Sequence, residues 1–245
     1  MIDFSTLQGI TIPEGAVTQI ADASGKVLWK LANDKPIILE VEKITSDTYA
    51  AETTYTGEQF ILLDIYPKTN GTVSVTYGGL TKTITDTSGV ENPNAQRVFF
   101  GTFNGVSDSV ATPTSGELTI EGDCAAFCCG KYNGTSKEGS GFCACITKVV
   151  NWMGVEFIPT NAFGAAQGAC EKLTSLTIPK SVVCIRKSAF GWTYTIPSIP
   201  FDDTSGWYVT QTEGDASGTV VDVTNPTDNA GLLTVQYVDY YWYKS

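Results

Sequence analysis

The sequence contains no histidine, and only 17% of its 245 residues are charged. Histidine is the commonest general base and the commonest metal ligand in proteins, so its absence excludes Ser-His-Asp and Cys-His catalytic sites. Acidic residues outnumber basic ones by 26 to 15, which gives a formal net charge of −11. Because an acidic surface repels phosphate backbones, we expect no nucleic-acid partner.

Long apolar runs are also missing. No apolar run of about 18 residues occurs, whereas a transmembrane helix needs roughly 20. The opening Met1-Ile2-Asp3 is acidic and has neither the basic nor the apolar region of a secretion signal. We therefore expect no membrane partner, synthesis in a cytoplasm, and release by a route such as cell lysis.

All seven cysteines lie between Cys124 and Cys184. An odd number leaves at least one thiol unpaired in a monomer. Their spacing does not match the paired CxxC pattern of zinc sites. We interpret them as small buried apolar residues, with a zinc site or a disulfide set as the alternative, and we expect no cofactor.

The residues that are present indicate a mainly β fold, because the apolar runs are short and alternate with Gly- and Thr-rich segments.

We interpret residues 1–34 as an attachment segment. Two alternating runs around a turn at 23–26 predict a β-hairpin, which is marginal in water by itself and must pack on another surface. The candidate anchor residues are Val17, Ile20, Leu28 and Trp29.

Residues 35–113 predict an immunoglobulin-like β-sandwich. Lys35-Pro36 marks its start, since proline favours extended chain. Gly78-Gly79 between alternating runs predicts a two-residue hairpin turn. Six or seven short strands at this spacing are typical of a sandwich. The predicted strands are 37–44, 48–54, 59–65, 72–77, 80–85 and 97–103.

Residues 114–200 contain a repeat. The apolar positions of 146–163 recur 27 residues later in 173–190, and both copies end in Ala-Phe, at Phe163 and Phe190. A fixed period of 20–30 residues indicates a leucine-rich solenoid, in which stacked copies bury faces that one copy leaves exposed. An earlier copy is expected over 118–132, with an inserted loop at 133–141.

Residues 201–245 are expected to form a β-rich cap over the open end of the solenoid. Strands are predicted at 207–210, 219–223 and 232–243, around loops at 213–218 and 225–231. The run 237–243 holds five aromatic residues. Stacked rings would suit a sugar-binding platform, and packing into the cap is the structural alternative. The candidate ligand-binding residues are Trp207, Tyr208, Tyr240, Tyr241 and Trp242.

Several carboxylates lie in these C-terminal loops, including Asp202, Asp203, Asp215, Asp222 and Asp228. Paired carboxylates could serve a glycosidase or bind calcium. No spacing fixes two of them at a catalytic separation, so we expect solvated loop residues.

Lys172 to Phe190, KLTSLTIPKSVVCIRKSAF, resembles the BspA-like leucine-rich repeats of bacterial surface proteins. The shared pattern is L-T-x-[IL]-x-[IL]-P-x-x-V-x-x-I-x-x-x-A-F. The resemblance covers roughly a third of the chain. It implies a solenoid built for display and binding, with no catalytic residues to carry over.

Ile12 to Trp29 resembles the leader of virion proteins from phages that infect Gram-positive gut bacteria, with the pattern I-P-E-G-x-V-x-x-I-x-D-x-x-G-x-V-L-W. This resemblance implies an appendage held on the particle by its N-terminus. We therefore expect a non-enzymatic virion protein of tail, baseplate or head surface. Its expected partners are other virion proteins, a host-surface polysaccharide and further copies of itself. The alternative is a bacterial surface adhesin or interaction module, and a cell-wall hydrolase is a third hypothesis.

Overall fold

The computed structural model describes residues 19–21, 27–30, 35–45, 58–86, 95–103, 105–110, 113–129, 145–164, 170, 172–191, 193–215, 217–235 and 239–245. The chain divides into two compact units, Met1–Asp34 and Lys35–Ser245. In the first unit, strand β1 (Gln19–Ala21) pairs antiparallel with strand β2 (Val27–Lys30). The predicted pairing of these two segments is thus confirmed for the backbone.

The second unit is mainly β. Its described strands are β3 (Ile37–Val41), β4 (Ile44–Thr45), β5 (Gln59–Pro67), β6 (Thr72–Tyr77), β7 (Leu80–Thr85), β8 (Gln96–Phe103), β9 (Val106–Ser107), β10 (Gly116–Gly122), β11 (Cys124–Cys129), β12 (Ile146–Asn151), β13 (Phe157–Ile158), β14 (Cys184–Ile185), β15 (Trp207–Thr210), β16 (Thr219–Val220) and β17 (Tyr241–Lys244), and the described residues also form a helix, α1 (Pro226–Leu233). No helix in the described part of the chain is long and apolar enough to cross a membrane.

Two antiparallel sheets form a sandwich-like layer pair. One has the order β12-β3-β10-β6-β7, and the other has the order β11-β5-β8-β9 with β4 beside β5. Strand β6 shows why they face each other: Val73, Val75 and Tyr77 are buried, while the residues between them are not. The ring of Tyr77 lies 5.5 Å from that of Phe100 on β8, so side chains of the two sheets share one core.

The predicted turn at Gly78-Gly79 is confirmed. Both residues have positive φ, +58° and +79°, and the flanking Tyr77 and Leu80 stand opposite each other at the end of the β6–β7 ladder. Glycine reaches this backbone region without the steric cost that a Cβ would add. The predicted strand at 48–54 lies outside the described residues.

The strands of the earlier copy belong to the two facing sheets. Strand β10 pairs antiparallel with β3 and β6, and β11 pairs antiparallel with β5 in the other sheet. Strand β12, the start of the next copy, pairs with the outer side of β3. Strand pairing of the sandwich therefore runs across the predicted boundary at 113/114. Alternating apolar residues such as Leu118 and Ile120 fit a sheet face and a solenoid turn equally well.

The two later copies do stack at the predicted period of 27 residues. Strands β13 and β14 are parallel, with Phe157 opposite Cys184 and Ile158 opposite Ile185. The buried rings of Phe163 and Phe190 are stacked, with centroids 5.3 Å apart and planes within 6°. A further segment, residues 196–201, continues the stack through a parallel bridge between Ile178 and Phe201.

The C-terminal region differs from its prediction. Residues 225–231 were expected to be a loop and 232–243 a strand, but Pro226–Leu233 is a helix and the strand begins at Tyr241. The helix starts where Asn225 caps it, accepting a hydrogen bond from the Thr227 N–H at 3.1 Å, with proline in the first turn. Asparagine and then proline are a helix start signal, and Asn229 anchors the helix by donating to the carbonyl oxygens of Ile199 and Val223.

The five cysteines whose side chains are described are all buried, as the packing interpretation predicts; they are Cys124, Cys128, Cys145, Cys170 and Cys184. Burial raises the pKa of the Cys124 thiol to about 12. Such a thiol is protonated at neutral pH and is a poor nucleophile or ligand.

Candidate functional site

The third sheet brings aromatic residues from distant parts of the chain into one row. Its order is β13-β14-β17-β15-β16. Phe157 stands opposite Cys184, Cys184 opposite Tyr243, and Tyr243 opposite Tyr208. Paired residues of neighbouring strands project to the same face. The sheet also lies beside β11, because the Glu156 N–H donates to the Ala125 carbonyl oxygen at 2.8 Å.

Five aromatic side chains lie near one another here, and we call them the aromatic row: Tyr66, Phe157, Tyr208, Tyr241 and Tyr243. Tyr208 and Tyr241 each stack against Tyr243, with centroids 5.9 and 6.3 Å away and planes within 25°. Tyr66 meets Phe157 edge to face at 5.4 Å. Phe157 is buried, whereas the four tyrosines are half-buried, so part of each tyrosine remains exposed to solvent.

Small buried residues separate the rings. Ala126 stands opposite Tyr66, and Cys184 lies between Phe157 and Tyr243. With Ala125 they form an apolar cluster distinct from the main core. A larger side chain at either position would push the neighbouring rings apart, so these residues set the shape of the row.

Charged groups border the row. The Arg186 guanidinium lies 4.7 Å from the centre of the Phe157 ring, and its Nε is 3.2 Å from Oε1 of Glu213. The Lys187 ammonium lies 5.0 Å from the centre of the Tyr241 ring. The Gly214 N–H donates to the Tyr243 hydroxyl at 2.8 Å, which fastens the turn after β15 to the row.

Burial keeps Tyr66 and Tyr243 of the row, and Cys184 beside it, neutral at physiological pH. Burial raises the pKa of Tyr243 to about 12, against the opposing effect of the Gly214 hydrogen bond. Burial likewise raises the pKa of Tyr66, and it raises the pKa of Cys184 to about 11. The row therefore offers ring faces and neutral hydroxyls, which suit binding better than nucleophilic or acid–base chemistry.

No family model, curated protein or solved structure matches this chain.

The structure divides the candidate ligand-binding residues into two groups. Tyr208 and Tyr241 belong to the aromatic row, and Tyr240 is 45% exposed just before β17. Trp207 and Trp242 are only 2% and 3% exposed and pack on Phe201, on the opposite face of the sheet. Their indole rings are core residues, and an external ligand cannot stack on them.

The candidate anchor residues lie in the first unit. Ile20 on β1 stands opposite Trp29 on β2, and Leu28 precedes Trp29 in the same strand. Val17 lies outside the described residues. The backbone register thus brings Ile20 and Trp29 side by side across the hairpin.

Three of the loop carboxylates accept hydrogen bonds from residues that lie close to them in the sequence. Asp203, Asp215 and Asp222 each accept hydrogen bonds from the backbone N–H and the hydroxyl of the residue two positions later. Lys244 and Ser205 together hold the pKa of Asp203 well below its usual range. These are turn-forming aspartates, and the D-x-[ST] spacing that forms the turns is visible in the sequence.

Sequence reasoning missed Tyr66, Phe157 and Arg186. Tyr243 belonged to the noted aromatic run but was not chosen. One signal was available: Arg186 occupies the position of Pro159 in the other copy, so the two copies differ in kind at that position. Tyr66 and Phe157 carry no such signal, because only strand pairing brings them beside the C-terminal tyrosines.

Proposed function

We propose that this chain is a non-enzymatic structural protein of a phage virion, a tail, baseplate or head-surface appendage that binds host-surface polysaccharide. The aromatic row is the observation that supports it most. Near-parallel tyrosine rings cover the apolar face of a pyranose, while Arg186, Glu213 and the tyrosine hydroxyls can bond its hydroxyl groups. The neutral state of the row supports binding without turnover.

The finer description of the fold belongs to the same proposal. We assign the two facing sheets as an immunoglobulin-like spacer and the stack as BspA-like repeats. The 27-residue offset between β13 and β14 supports the second assignment. The first unit, with its paired β1 and β2, would attach the chain to other virion proteins.

Immunogold electron microscopy with antibodies to the purified chain tests the virion role, on particles and on intact cells of the source culture. We expect label on particles, and its position would distinguish head, tail shaft and tip. Label on cells with none on particles would replace the proposal with a bacterial surface adhesin.

Binding of the chain to polysaccharide extracted from the host surface tests the aromatic row. Tyr208→Ala and Tyr241→Ala should each weaken binding. Tyr194→Ala is the matched control, since Tyr194 is exposed and lies in a turn of the stack. If all three variants bound the polysaccharide equally well, the aromatic row would not be the binding site. The virion role would then be decided by the microscopy alone.

A further inference from the structure

A groove runs along one edge of the stack, away from the sheet that carries the aromatic row. Its cavity is about 520 Å³, within the range of about 300–1,000 Å³ that is usual for ligand sites. Three chain segments line it: the end of β12 with residues 152–153, residues 174–179, and residues 197–202. We call it the rung groove.

The walls of the rung groove are held by backbone and buried side-chain contacts. The Ile178 N–H donates to the Pro200 carbonyl oxygen at 2.8 Å, and the Asp202 N–H donates to the Ile178 carbonyl oxygen at 2.9 Å. The indole N–H of Trp152, a largely buried side chain, donates to the Thr177 carbonyl oxygen at 2.7 Å. The groove is therefore formed before any ligand arrives.

Polar side chains in the groove fall into two classes. Asn151 is engaged, because its Nδ2 donates to the Pro36 carbonyl oxygen at 2.7 Å. The side chains of Thr174, Ser175, Thr177, Ser198 and Asp202 also line the groove, and within the described part of the chain they have no hydrogen-bond partner. Four hydroxyls and one carboxylate are thus available to a ligand.

The charge and the apolar side chains of the groove indicate which class of ligand it can bind. Asp202 is the one charged side chain among the described lining residues, so an anionic polymer would be repelled. Val150 and Met153 are more than 40% exposed, and Pro179, Pro197 and Pro200 add apolar faces. Hydroxyls, a carboxylate acceptor and apolar faces together match a neutral sugar chain, which presents hydroxyl edges and C–H faces.

We propose that the rung groove binds a segment of neutral oligosaccharide, as a site separate from the aromatic row. The proposal goes beyond the virion function and holds whether the chain belongs to a particle or to a cell surface.

The first test measures binding of cellohexaose, maltohexaose and chitohexaose to the full chain by calorimetry, with an oligogalacturonate of equal length as the anionic comparator. At least one neutral hexasaccharide should bind, and the anionic one should not. The double variant Ser175→Ala/Asp202→Ala should weaken that binding by about tenfold or more, since it removes two hydrogen-bonding groups. Thr219→Ala, an exposed threonine on β16, should leave the affinity unchanged.

A second test locates the ligand without mutation. Met153 lines the groove and is 41% exposed. The bound hexasaccharide should slow oxidation of Met153 by hydrogen peroxide, measured by mass spectrometry, relative to the chain without sugar. Failure of all three neutral hexasaccharides to bind would overturn the proposal. So would binding that is abolished by Tyr208→Ala but leaves Met153 unprotected, which would place the sugar on the aromatic row alone.

Discussion

At the scale of single residues, the stacked pair Phe163 and Phe190 gives the clearest measure of the repeat. Both rings are buried and lie in parallel contact. Phe163→Ala and Phe190→Ala should each lower the free energy of unfolding by about 3–5 kcal/mol, because a large cavity is left behind. Urea denaturation would measure this.

The double variant gives the control for that prediction. Because the rings touch, the combined cost should fall short of the sum of the single costs by about 0.5–1.5 kcal/mol. Single costs within about 0.5 kcal/mol of zero, the range of ordinary surface substitutions, would contradict the packing described here.

The charge of Asp108 should make the free energy of unfolding depend on pH. Its oxygens accept hydrogen bonds from the Gly101 and Val110 N–H groups at 3.0 and 2.8 Å and from the Lys82 ammonium at 2.7 Å. Burial acts to raise the pKa of Asp108, but these hydrogen bonds outweigh it and the pKa is lowered. The carboxylate therefore stabilises the fold above the unfolded-state pKa of about 3.9, and this contribution is lost as pH falls below that value.

Asp108→Asn should accordingly be less stable than the wild type at pH 7, and the difference in free energy of unfolding should shrink between about pH 5 and pH 3. Chemical denaturation at a series of pH values measures both. A difference that stays constant across this range would show that the charge of Asp108 contributes nothing.

At the scale of elements, the two stacked copies meet backbone to backbone at Gly164. A Cβ built there would lie 1.9 Å from the Gly191 carbonyl oxygen and 2.6 Å from its nitrogen. Both are main-chain atoms, so no side-chain movement could relieve the clash. Gly164→Ala should lower the free energy of unfolding by at least about 2 kcal/mol, as measured by urea denaturation.

The matched control is Gly231→Ala in helix α1, where nothing lies within 4 Å of the added Cβ. There alanine should stabilise the protein by about 0.5–1 kcal/mol, because it favours helix over the unfolded chain. If Gly164→Ala were as mild as Gly231→Ala, the two copies could not be packed as closely as described.

Among the described residues, strand β7 is an edge strand of the sheet β12-β3-β10-β6-β7. Lys82 on this strand protects the edge from pairing with another chain. Its side chain points inward, with its ammonium paired to Asp108 and 4.2 Å from the centre of the Phe99 ring. An inward-pointing charge is a device that discourages pairing with another chain. Lys82→Met should therefore raise the sedimentation coefficient at high protein concentration. Lys82→Arg, which keeps the charge, should not, and identical sedimentation of both variants would refute this role.

Elements of this fold could be predicted where the sequence pattern that specifies them lies within the element itself. The Gly78-Gly79 hairpin depends on backbone freedom at two positions, and the 27-residue stack depends on matching apolar positions. Strand β12 carries a local pattern too, but no local feature shows that it pairs with β3, a hundred residues earlier. The aromatic row depends on the same long-range register, since Phe157 and Tyr208 come into one sheet only because β14 and β17 pair between their strands. Helix α1 was not predicted although its Asn225-Pro226 start is local, because Asn-Pro followed by Gly231 is equally typical of a turn or loop.

At the scale of the whole molecule, the chain has two compact units. The described strands of the first are one hairpin, whereas the second has a core that extends from β3 to β17. A two-stranded hairpin is marginally stable at best in water. Under the proposed function, the first unit would serve in attachment and the second would carry the stability of the fold.

Deletion of residues 1–34 tests this division. The remaining chain, 35–245, should give a cooperative thermal transition close to that of the full chain, because its core residues are all retained. Under the proposed function it should fail to join its assembly, measured as loss of the tagged chain from purified particles while the full-length tagged chain is retained. Replacing residues 1–34 by an unrelated hairpin of equal length is the control for size, and it should not restore attachment. Loss of the thermal transition on deletion would instead make the hairpin part of the folding unit, and attachment by the truncated chain would place the anchor in the second unit.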